Sequence, residues 1–556
     1  MSARIPDQGL AARIEDRLAI WQASSFAPRL WAKDPTLWSA TPMPEVTDRL
    51  GWLDLPMSMA SEVGSLSGFA AELRDSGVQD VVVLGMGGSS LAPTVFARVF
   101  GSSERFPRLT VLDTTHPDAI GEVRRRLDLA HAAFVVSSKS GTTTETLSLF
   151  AYFWKEIESE GAAAPGAQFV AITDPGTPLA ELARKRGFRK LFEANPNVGG
   201  RYSALTHFGL VPAAMIGVDV DRLLGCARAM AARCGAGVKA AENPGLELGA
   251  LLGEAGVSGR DKVTFLTSPP LSGFPVWIEQ LIAESTGKDG KGLVPVAGEP
   301  LRPPPTFGVD RVTIGYSGPE GKKVPPTPRG PTDAAPPGWS EELSDVYELG
   351  GEFFRWEVAV ASAGAILGIH PFNQPDVQLA KDLARREIAS PAASPSAGAS
   401  APATMTPGDL ATALGAFFSG TRPGEYLGIH AYLAPDAATD SALSQLRIDL
   451  SERTRLPVTL GYGPRFLHST GQLHKGGPPT GRFLQFVDTP RQDLPIPGEA
   501  FTFGQLIAAQ SRGDKEALSQ RGRTVLTLPL GGEPLRAIGG VGAAVRGAAR
   551  QPGGRR

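Results

Sequence analysis

The chain reads AAFVVSSKSGTTTET at residues 132–146, and this stretch gives the strongest indication of its fold class. Its first five residues are apolar, which predicts a strand that is buried on both faces. Hydroxyl residues and a glycine follow, and residues 147–154 then show the apolar spacing of a helix. A buried strand, a polar loop and a helix in this order form the repeating unit of a parallel α/β sheet.

The loop of this unit has the composition of a phosphate-binding site. Free backbone N–H groups at a helix N-terminus point outward, and the helix dipole favours a negative charge there. A simpler interpretation is an N-cap cluster, because serine and threonine are common at helix N-caps. Further loops of related kind in the chain favour the phosphate site.

The strand–loop–helix pattern recurs on both sides of this loop. Apolar runs predict strands at Val81–Leu84, Leu109–Leu112, Phe134–Val136, Phe169–Ile172, Val263–Thr267, Arg311–Tyr316, Tyr426–Tyr432, Val458–Tyr462 and Phe483–Val487. Helical spacing covers residues 8–75, 205–255 and Phe274–Ser285. We therefore expect an α/β protein with two doubly wound parallel-sheet domains, each an α-β-α sandwich, wrapped by helical extensions.

Composition sets the expected domain boundaries. A helical extension over residues 1–75 precedes a first domain at 76–240 and a second at 241–538, and a Gly/Ala/Arg-rich tail at 539–556 is expected to be disordered. The second domain carries a segment rich in proline and glycine at 300–340. It also carries a low-complexity segment at 389–407, whose composition is too poor in apolar residues to form a core.

Bulk properties exclude several classes of protein. A chain of 556 residues is too long for one core, and a net charge of −2 gives no basic field for nucleic acid. No span reaches the roughly 20 apolar residues that cross a membrane. The first residues lack the apolar core of a signal peptide, so we expect a cytoplasmic protein. Two cysteines form no disulfide framework, and the seven histidines show no metal-ligand spacing.

A glycine loop at residues 85–90 raises the alternative of a dinucleotide site. Gly85 and Gly87 follow a predicted strand, and Asp113 ends the next one, where an acidic residue suits a ribose. Ser90 occupies the third position, however, where the dinucleotide fingerprint uses glycine or alanine. A dinucleotide also leaves the loop at 138–146 unexplained, so we favour one small phosphorylated ligand at this sheet edge.

Glu284 is the candidate general base. Helical spacing places it on the same apolar face as Trp277 and Leu281, near the C-terminus of its helix. Desolvation and the negative end of the helix dipole would make its carboxylate a better base. The simpler interpretation is a glutamate that reaches solvent at a frayed helix end.

Three cationic or titratable side chains complete the candidate chemistry. Arg201 follows two glycines and would supply a fixed positive charge. Lys381 lies at the edge of the apolar stripe of a helix expected to start at residues 373–375, although lysines in such positions usually reach solvent. His468 suits proton transfer near neutral pH. His474 competes with it, although its surroundings predict an exposed loop, and the choice between the two stays open.

Together these motifs resemble the phosphoglucose isomerase family, whose members interconvert glucose 6-phosphate and fructose 6-phosphate. The segments that carry the resemblance span most of the chain. They are Gly87-Gly88-Ser89, residues 138–143, Gly200-Arg201-Tyr202-Ser203, Glu284-Ser285-x-Gly287-Lys288, Phe372-x-Gln374 with Lys381, and His468-Ser469-x-Gly471-Gln472.

The resemblance implies two SIS-type sugar-isomerase domains, a hexose 6-phosphate substrate, no metal or organic cofactor, and a homodimer. It assigns substrate binding to Gly88, Ser89, Ser138, Lys139, Ser140, Thr143 and Gln374. By the same resemblance, Glu284 would be the base and Arg201 would stabilise the intermediate. His468 and Lys381 would assist ring opening.

One feature departs from the family. The histidine segment usually precedes the Gln…Lys helix, whereas here His468 follows Lys381, as in the isomerase part of proteins fused to transaldolase. Two alternatives stay open: a dual phosphoglucose/phosphomannose isomerase, and a non-catalytic sugar-phosphate sensor on SIS domains. Amidotransferase chemistry would need a nucleophilic cysteine, and neither Cys226 nor Cys234 lies in a suitable loop.

Overall fold

The computed structural model describes residues 2–5, 7–41, 43–300, 307–319, 336–389 and 405–548. The strands are β1 Ser2–Arg4, β2 Asp80–Gly85, β3 Arg108–Leu112, β4 Ala132–Ser137, β5 Phe169–Thr173, β6 Lys190–Glu193, β7 Lys262–Thr267, β8 Val294–Val296, β9 Arg311–Ser317, β10 Gly338–Glu342, β11 Tyr426–Tyr432, β12 Val458–Tyr462, β13 Gly481–Asp488 and β14 Thr524–Gly531.

Helices connect and cover these strands. They are α1 Gln8–Ala23, α2 Phe26–Trp31, α3 Leu55–Ser58, α4 Val63–Asp75, α5 Leu91–Phe100, α6 Pro117–Arg126, α7 Thr144–Ser159, α8 Pro178–Lys185, α9 His207–Met215, α10 Val220–Arg233, α11 Pro244–Val257, α12 Pro275–Thr286, α13 Leu349–Leu367, α14 Gln378–Ala389, α15 Pro407–Phe418, α16 Ala437–Thr454, α17 Gly471–Gly476, α18 Phe503–Gln520 and α19 Pro534–Ala548. Within the described ranges, no helix combines the length and the apolar character that a membrane crossing requires.

The first sheet confirms the predicted doubly wound architecture. Its strands run in the order β3-β2-β4-β5-β6, and every pair is parallel. Successive side chains of a strand point to opposite faces, so Val81 and Val83 pack in one core while Val82 and Leu84 pack in another. Because both faces of the sheet centre are covered, the central strands β2, β4 and β5 are buried along their length and mostly apolar, whereas the edge strands β3 and β6 also carry charged residues.

The second half of the chain contains two sheets. One has the order β1-β10-β9-β7-β8, with only β1 antiparallel, and the other is the all-parallel β12-β11-β13-β14. A side chain joins their edges: Arg447 donates to Ala297 and Gly298 beyond β8 and to Val458 of β12. The α/β class is therefore confirmed here as well, while the boundaries at 240 and 241 stay a prediction.

Three sequence predictions need correction or lie outside the structure. The helix expected to start at residues 373–375 begins at Gln378. The disordered tail is wrong for residues 539–548, which belong to α19, because Ile538, Val541 and Val545 form a buried stripe at helical spacing despite the Gly/Ala-rich composition. Residues 549–556, and most of the low-complexity segment at 389–407, lie outside the described residues. Strands β1, β6, β8, β10 and β14 were not predicted.

Candidate active site

The hydroxyl loop lies between β4 and α7, as predicted. The hydroxyl oxygens of Ser138 and Thr143 lie 2.8 Å apart, and those of Ser140 and Thr142 lie 2.9 Å apart. Gly141 has a φ of +67°, and a Cβ there would be 2.8 Å from the backbone nitrogen of Leu179. The glycine therefore lets the loop turn tightly against its neighbour, with Ser140 and Thr142 on the exposed side.

Lys139 links the hydroxyl loop to neighbouring loops of the first domain. Its ammonium forms an ion pair with Asp174 and donates to the carbonyl of Pro196 at 3.1 Å. Burial lowers the pKa of Lys139, although the neighbouring Asp174 opposes this shift. The ammonium of Lys139 therefore contacts the loops that follow β5 and β6.

The glycine turn after β2 fits between two other site segments. A Cβ on Gly87 would lie 2.6 Å from the carbonyl oxygen of His468, and one on Gly88 would lie 2.0 Å from that of Gly200. Residues without side chains are needed for such close backbone approach. Ser89 is buried at the end of the same turn. The turn therefore brings the Arg201 segment and the His468 segment to the carboxyl end of β2.

Arg201 is almost completely buried, with 3% of its surface exposed. Its Nε donates to Ser285 Oγ at 2.8 Å, and one terminal nitrogen donates to the carbonyls of Pro371 and Asn373 at 2.7 and 3.0 Å. These three partners come from α12 and from the loop before α14. They hold the planar guanidinium in one orientation.

The remaining terminal nitrogen of Arg201 contacts two of the predicted site residues. It lies 3.3 Å from Glu284 Oε1 and 3.4 Å from Gln374 Oε1. Glu284 is 7% exposed and sits in the last turn of α12. The structure thus brings the predicted base, the predicted cation and the predicted ligand-binding glutamine together.

Gln280, which the sequence reasoning missed, ties Glu284 to the histidine segment. Its side-chain nitrogen donates to Glu284 Oε2 at 2.9 Å and to the carbonyl of His468 at 2.8 Å. The signal was present in the sequence, because residues four apart on a helix share one face. Gln280 therefore links α12 to the C-terminal part of the chain.

Lys288, also missed, fixes the loop that carries Gln374. Its ammonium donates to the carbonyls of His370 and Asn373, both at 2.6 Å, and to Asn373 Oδ1 at 2.9 Å. Burial and the nearby Arg201 lower the pKa of Lys288 well below its usual value. The Gln374 loop is therefore held by Arg201 from one side and by Lys288 from another.

His468 pairs with a carboxylate from the hydroxyl loop. Its Nε2 lies 3.0 Å from Glu145 Oε1, and Gln510 donates to the same oxygen at 2.7 Å. Burial disfavours ionisation of Glu145, but the charges of His468 and Lys381 and the hydrogen bonds outweigh it and lower the pKa to about 2. Glu145 is thus an anion at neutral pH, and Lys381 lies within electrostatic range of it.

His474 does not belong to this pair. The prediction of an exposed loop around it is wrong, because His474 lies in α17 and is buried. Its Nδ1 lies 3.1 Å from His430 Nε2 on β11, and burial lowers its pKa well below the usual value. Of the two histidines that the sequence left open, His468 is the one at the site.

Glu145 is a further site residue that the sequence reasoning missed. It lies within residues 132–146, but its partner His468 is 323 residues away along the chain. In the part of the chain that the structure describes, no group of three or more His, Cys, Asp or Glu side chains is arranged to hold a metal ion.

Comparison with known proteins gives a consistent result. Residues 57–293 match the model of the family described as phosphoglucose isomerase. The glucose-6-phosphate isomerase of Rubrobacter xylanophilus is 27% identical over 435 residues, which cover 68% of this chain and 96% of that protein. That of Parabacteroides distasonis is 29% identical over 385 residues, covering 60% and 86%.

A solved structure shares the fold. The crystal structure of a glucose-6-phosphate isomerase from Chlamydia trachomatis matches with a TM-score of 0.54 and 20% sequence identity, covering 71% of this chain and 88% of that one. The family match at 57–293 includes Arg201 and Glu284 and ends before Gln374, Lys381 and His468.

Proposed function

We propose that this chain, which belongs to the phosphoglucose isomerase family, interconverts glucose 6-phosphate and fructose 6-phosphate. One observation carries the proposal: the carboxylate of Glu284 lies 3.3 Å from the fixed guanidinium of Arg201. Gln280 links the same carboxylate to the His468 segment. The Glu284 carboxylate, the Arg201 guanidinium and the main chain of His468 are thus joined by direct contacts, and the imidazole of His468 contacts Glu145 at the start of α7, next to the hydroxyl loop, which supports a shared site.

The hydroxyl loop would hold the phosphate of the substrate. Ser138, Ser140 and Thr143 supply hydroxyls at the N-terminus of α7, where the helix dipole favours an anion. Gly88 and Ser89 would contribute from the neighbouring turn, Lys139 would hold the loop in place, and Gln374 would contact the sugar. Binding energy from the phosphate would orient the reacting carbons.

Ring opening would use His468 with Lys381. A pyranose opens when its ring C–O bond breaks, the ring oxygen gains a proton and the anomeric hydroxyl loses one. His468, whose Nε2 faces the ionised Glu145, would deliver a proton to the ring oxygen. Lys381 adds a second cationic group on the same side of the site.

Isomerisation would then proceed through a cis-enediolate. Glu284 removes the proton from C2 and returns it to C1, while a hydroxyl proton moves between O2 and O1, so no electron acceptor is needed. Arg201 would stabilise the negative charge on the enediolate oxygens, where preorganised electrostatics contributes most.

A coupled assay with fructose 6-phosphate tests this function. We expect glucose 6-phosphate as the product. Mannose 6-phosphate formed alongside it would establish the dual isomerase, because the two aldoses differ only at C2. Binding of fructose 6-phosphate without turnover would contradict the proposal and favour the sensor.

The organisation of the chain is also part of the proposal. The family supports a division into residues 1–75, a SIS domain at 76–240 and a rearranged SIS domain at 241–538. His468 and Lys381 both lie near Glu145 despite their reversed order in the chain, which supports the rearrangement. The family likewise supports a cytoplasmic homodimer, which light scattering and cell fractionation would test.

A further inference from the structure

We propose that Gln510 is a positioning residue for ring opening and that it acts on His468 through Glu145. This inference rests on the proposed function. Gln510 lies on α18, in the C-terminal part of the chain, and only 5% of its surface is exposed. Its side chain reaches the site by its hydrogen bond to Glu145.

The amide of Gln510 is held in one orientation. Its Oε1 accepts a hydrogen bond from Thr115 Oγ1 at 2.8 Å, and its Nε2 donates to Glu145 Oε1 at 2.7 Å. A carbonyl oxygen can only accept and an amide nitrogen can only donate, so rotating the amide by 180° would break both bonds. Thr115 therefore selects the orientation in which Gln510 donates to Glu145.

The same carboxylate oxygen then orients the imidazole. Glu145 Oε1 lies 3.0 Å from His468 Nε2, so Gln510 and His468 share one acceptor. An ionised carboxylate accepts a hydrogen bond from Nε2–H, which leaves Nδ1 of His468 as the atom that can exchange a proton with a substrate. Gln510 fixes the position of that carboxylate and, through it, the plane of the ring.

Helix α18 is anchored one turn further along, and this makes it a rigid support. Asp514 is fully buried, and its Oδ1 accepts from Lys475 Nζ at 2.6 Å while its Oδ2 lies 3.1 Å from His430 Nδ1. Lys475 belongs to α17, which begins three residues after His468. Helix α18 therefore contacts both Glu145, the partner of His468, and α17, the helix that follows His468 in the chain.

Anomer exchange isolates the step at which Gln510 acts. Opening and closing the ring interconverts the α and β anomers of fructose 6-phosphate, and exchange NMR measures this rate. In a Glu284→Gln background, which blocks proton transfer at C2, we expect catalysed anomer exchange. Adding Gln510→Met, which keeps the size of the side chain and removes both hydrogen bonds, should slow that exchange about 10-fold or more. In the otherwise unaltered chain, Gln510→Met should lower kcat and leave KM within twofold.

Gln520→Met is the matched control, because Gln520 lies on the same helix and is exposed. It should change neither rate. If Gln510→Met does not fold, Thr115→Val tests the inference instead. This change removes only the hydroxyl that orients the Gln510 amide, and it should also slow anomer exchange. Unchanged exchange in a folded variant of an active isomerase would overturn this inference alone. Failure of the unaltered protein to isomerise the sugar would overturn the proposed function, and this inference with it.

Discussion

Glu284 and Glu145 are two carboxylates of the same site, each 7% exposed and each next to a cationic side chain, yet their surroundings differ. Glu145 shares one oxygen between His468 and Gln510, and its pKa is lowered to about 2. The partner of Glu284, Arg201, has its other nitrogens bound to Ser285 and to main-chain carbonyls. Gln280 donates to Glu284 as well, so each carboxylate has a cationic and an amide neighbour, but these lie on different oxygens of Glu284 and on one oxygen of Glu145. We interpret Glu145 as a fixed counter-ion and propose Glu284 as the proton carrier.

Replacing Glu284 should lower kcat more than any other change. A small effect on kcat would contradict the different roles assigned to Glu284 and Glu145. Glu284→Gln keeps the hydrogen-bonding shape but removes the group that carries the proton. We expect kcat to fall about 10³-fold, within the range of general-base contributions, while sugar phosphate still binds. A coupled isomerase assay with calorimetric binding measures both quantities.

Glu279→Gln is the matched control for this variant. Glu279 lies on the same helix, and burial raises its pKa to about 7, so in an assay at pH 6 the change removes little negative charge. Near-normal turnover in Glu284→Gln, or an equal loss in Glu279→Gln, would reject the assignment of the base.

Arg201→Lys should have the next largest effect. A lysine keeps the positive charge but cannot reach Ser285, Pro371 and Asn373 together, so the charge next to Glu284 loses its fixed position. We expect kcat to fall about 10²-fold with little change in KM. The control is Arg184→Lys at an exposed ion pair with Glu193. A loss confined to KM would make Arg201 a binding residue.

The charge of Glu145 should appear as pH-dependent stability. Its pKa is about 2 in the fold and 4.5 ordinarily, so its contribution is present above pH 4.5 and is lost as the pH falls towards 2. Urea unfolding should show that Glu145→Gln lowers the free energy of unfolding by about 3 kcal/mol at pH 6, and by much less at pH 3.

Glu279 should show the opposite dependence of stability on pH. Because its pKa is raised to about 7 in the fold, the wild-type protein should gain stability over Glu279→Gln as the pH falls from 7 to 4.5. Parallel pH profiles for the two variants would contradict the contrast between these carboxylates.

Ser138→Ala should have the smallest effect on activity. It shows how much less a neutral hydroxyl contributes than the charged side chains of the site. The loss of one neutral donor at the phosphate loop should raise KM about three- to tenfold and leave kcat unchanged. Initial-rate kinetics measures both. The control is Ser159→Ala at the exposed C-terminal end of α7, the helix that follows the loop. It should leave kcat and KM at their wild-type values.

Local features of the site could be predicted from the sequence because neighbouring residues decide them. The strand, loop and helix at 132–159, four of the five strands of the first sheet and the buried face of α12 follow from apolar periodicity. Gln374, by contrast, was expected inside the first turn of a helix, whereas Lys288 and Arg201 hold it in a loop. Contacts from distant segments outweighed the local signal there.

The α/β class, the hydroxyl loop and the residue types that the chemistry needs could be inferred from the sequence, since each depends on contiguous residues. The pairing of Glu145 with His468, the hydrogen bond from Gln510 to that pair and the burial of His474 became evident from the three-dimensional structure. The two contacts of Glu145 join segments more than 300 residues apart. Their formation depends on how three sheets and their helices pack together, and no short-range pattern encodes it.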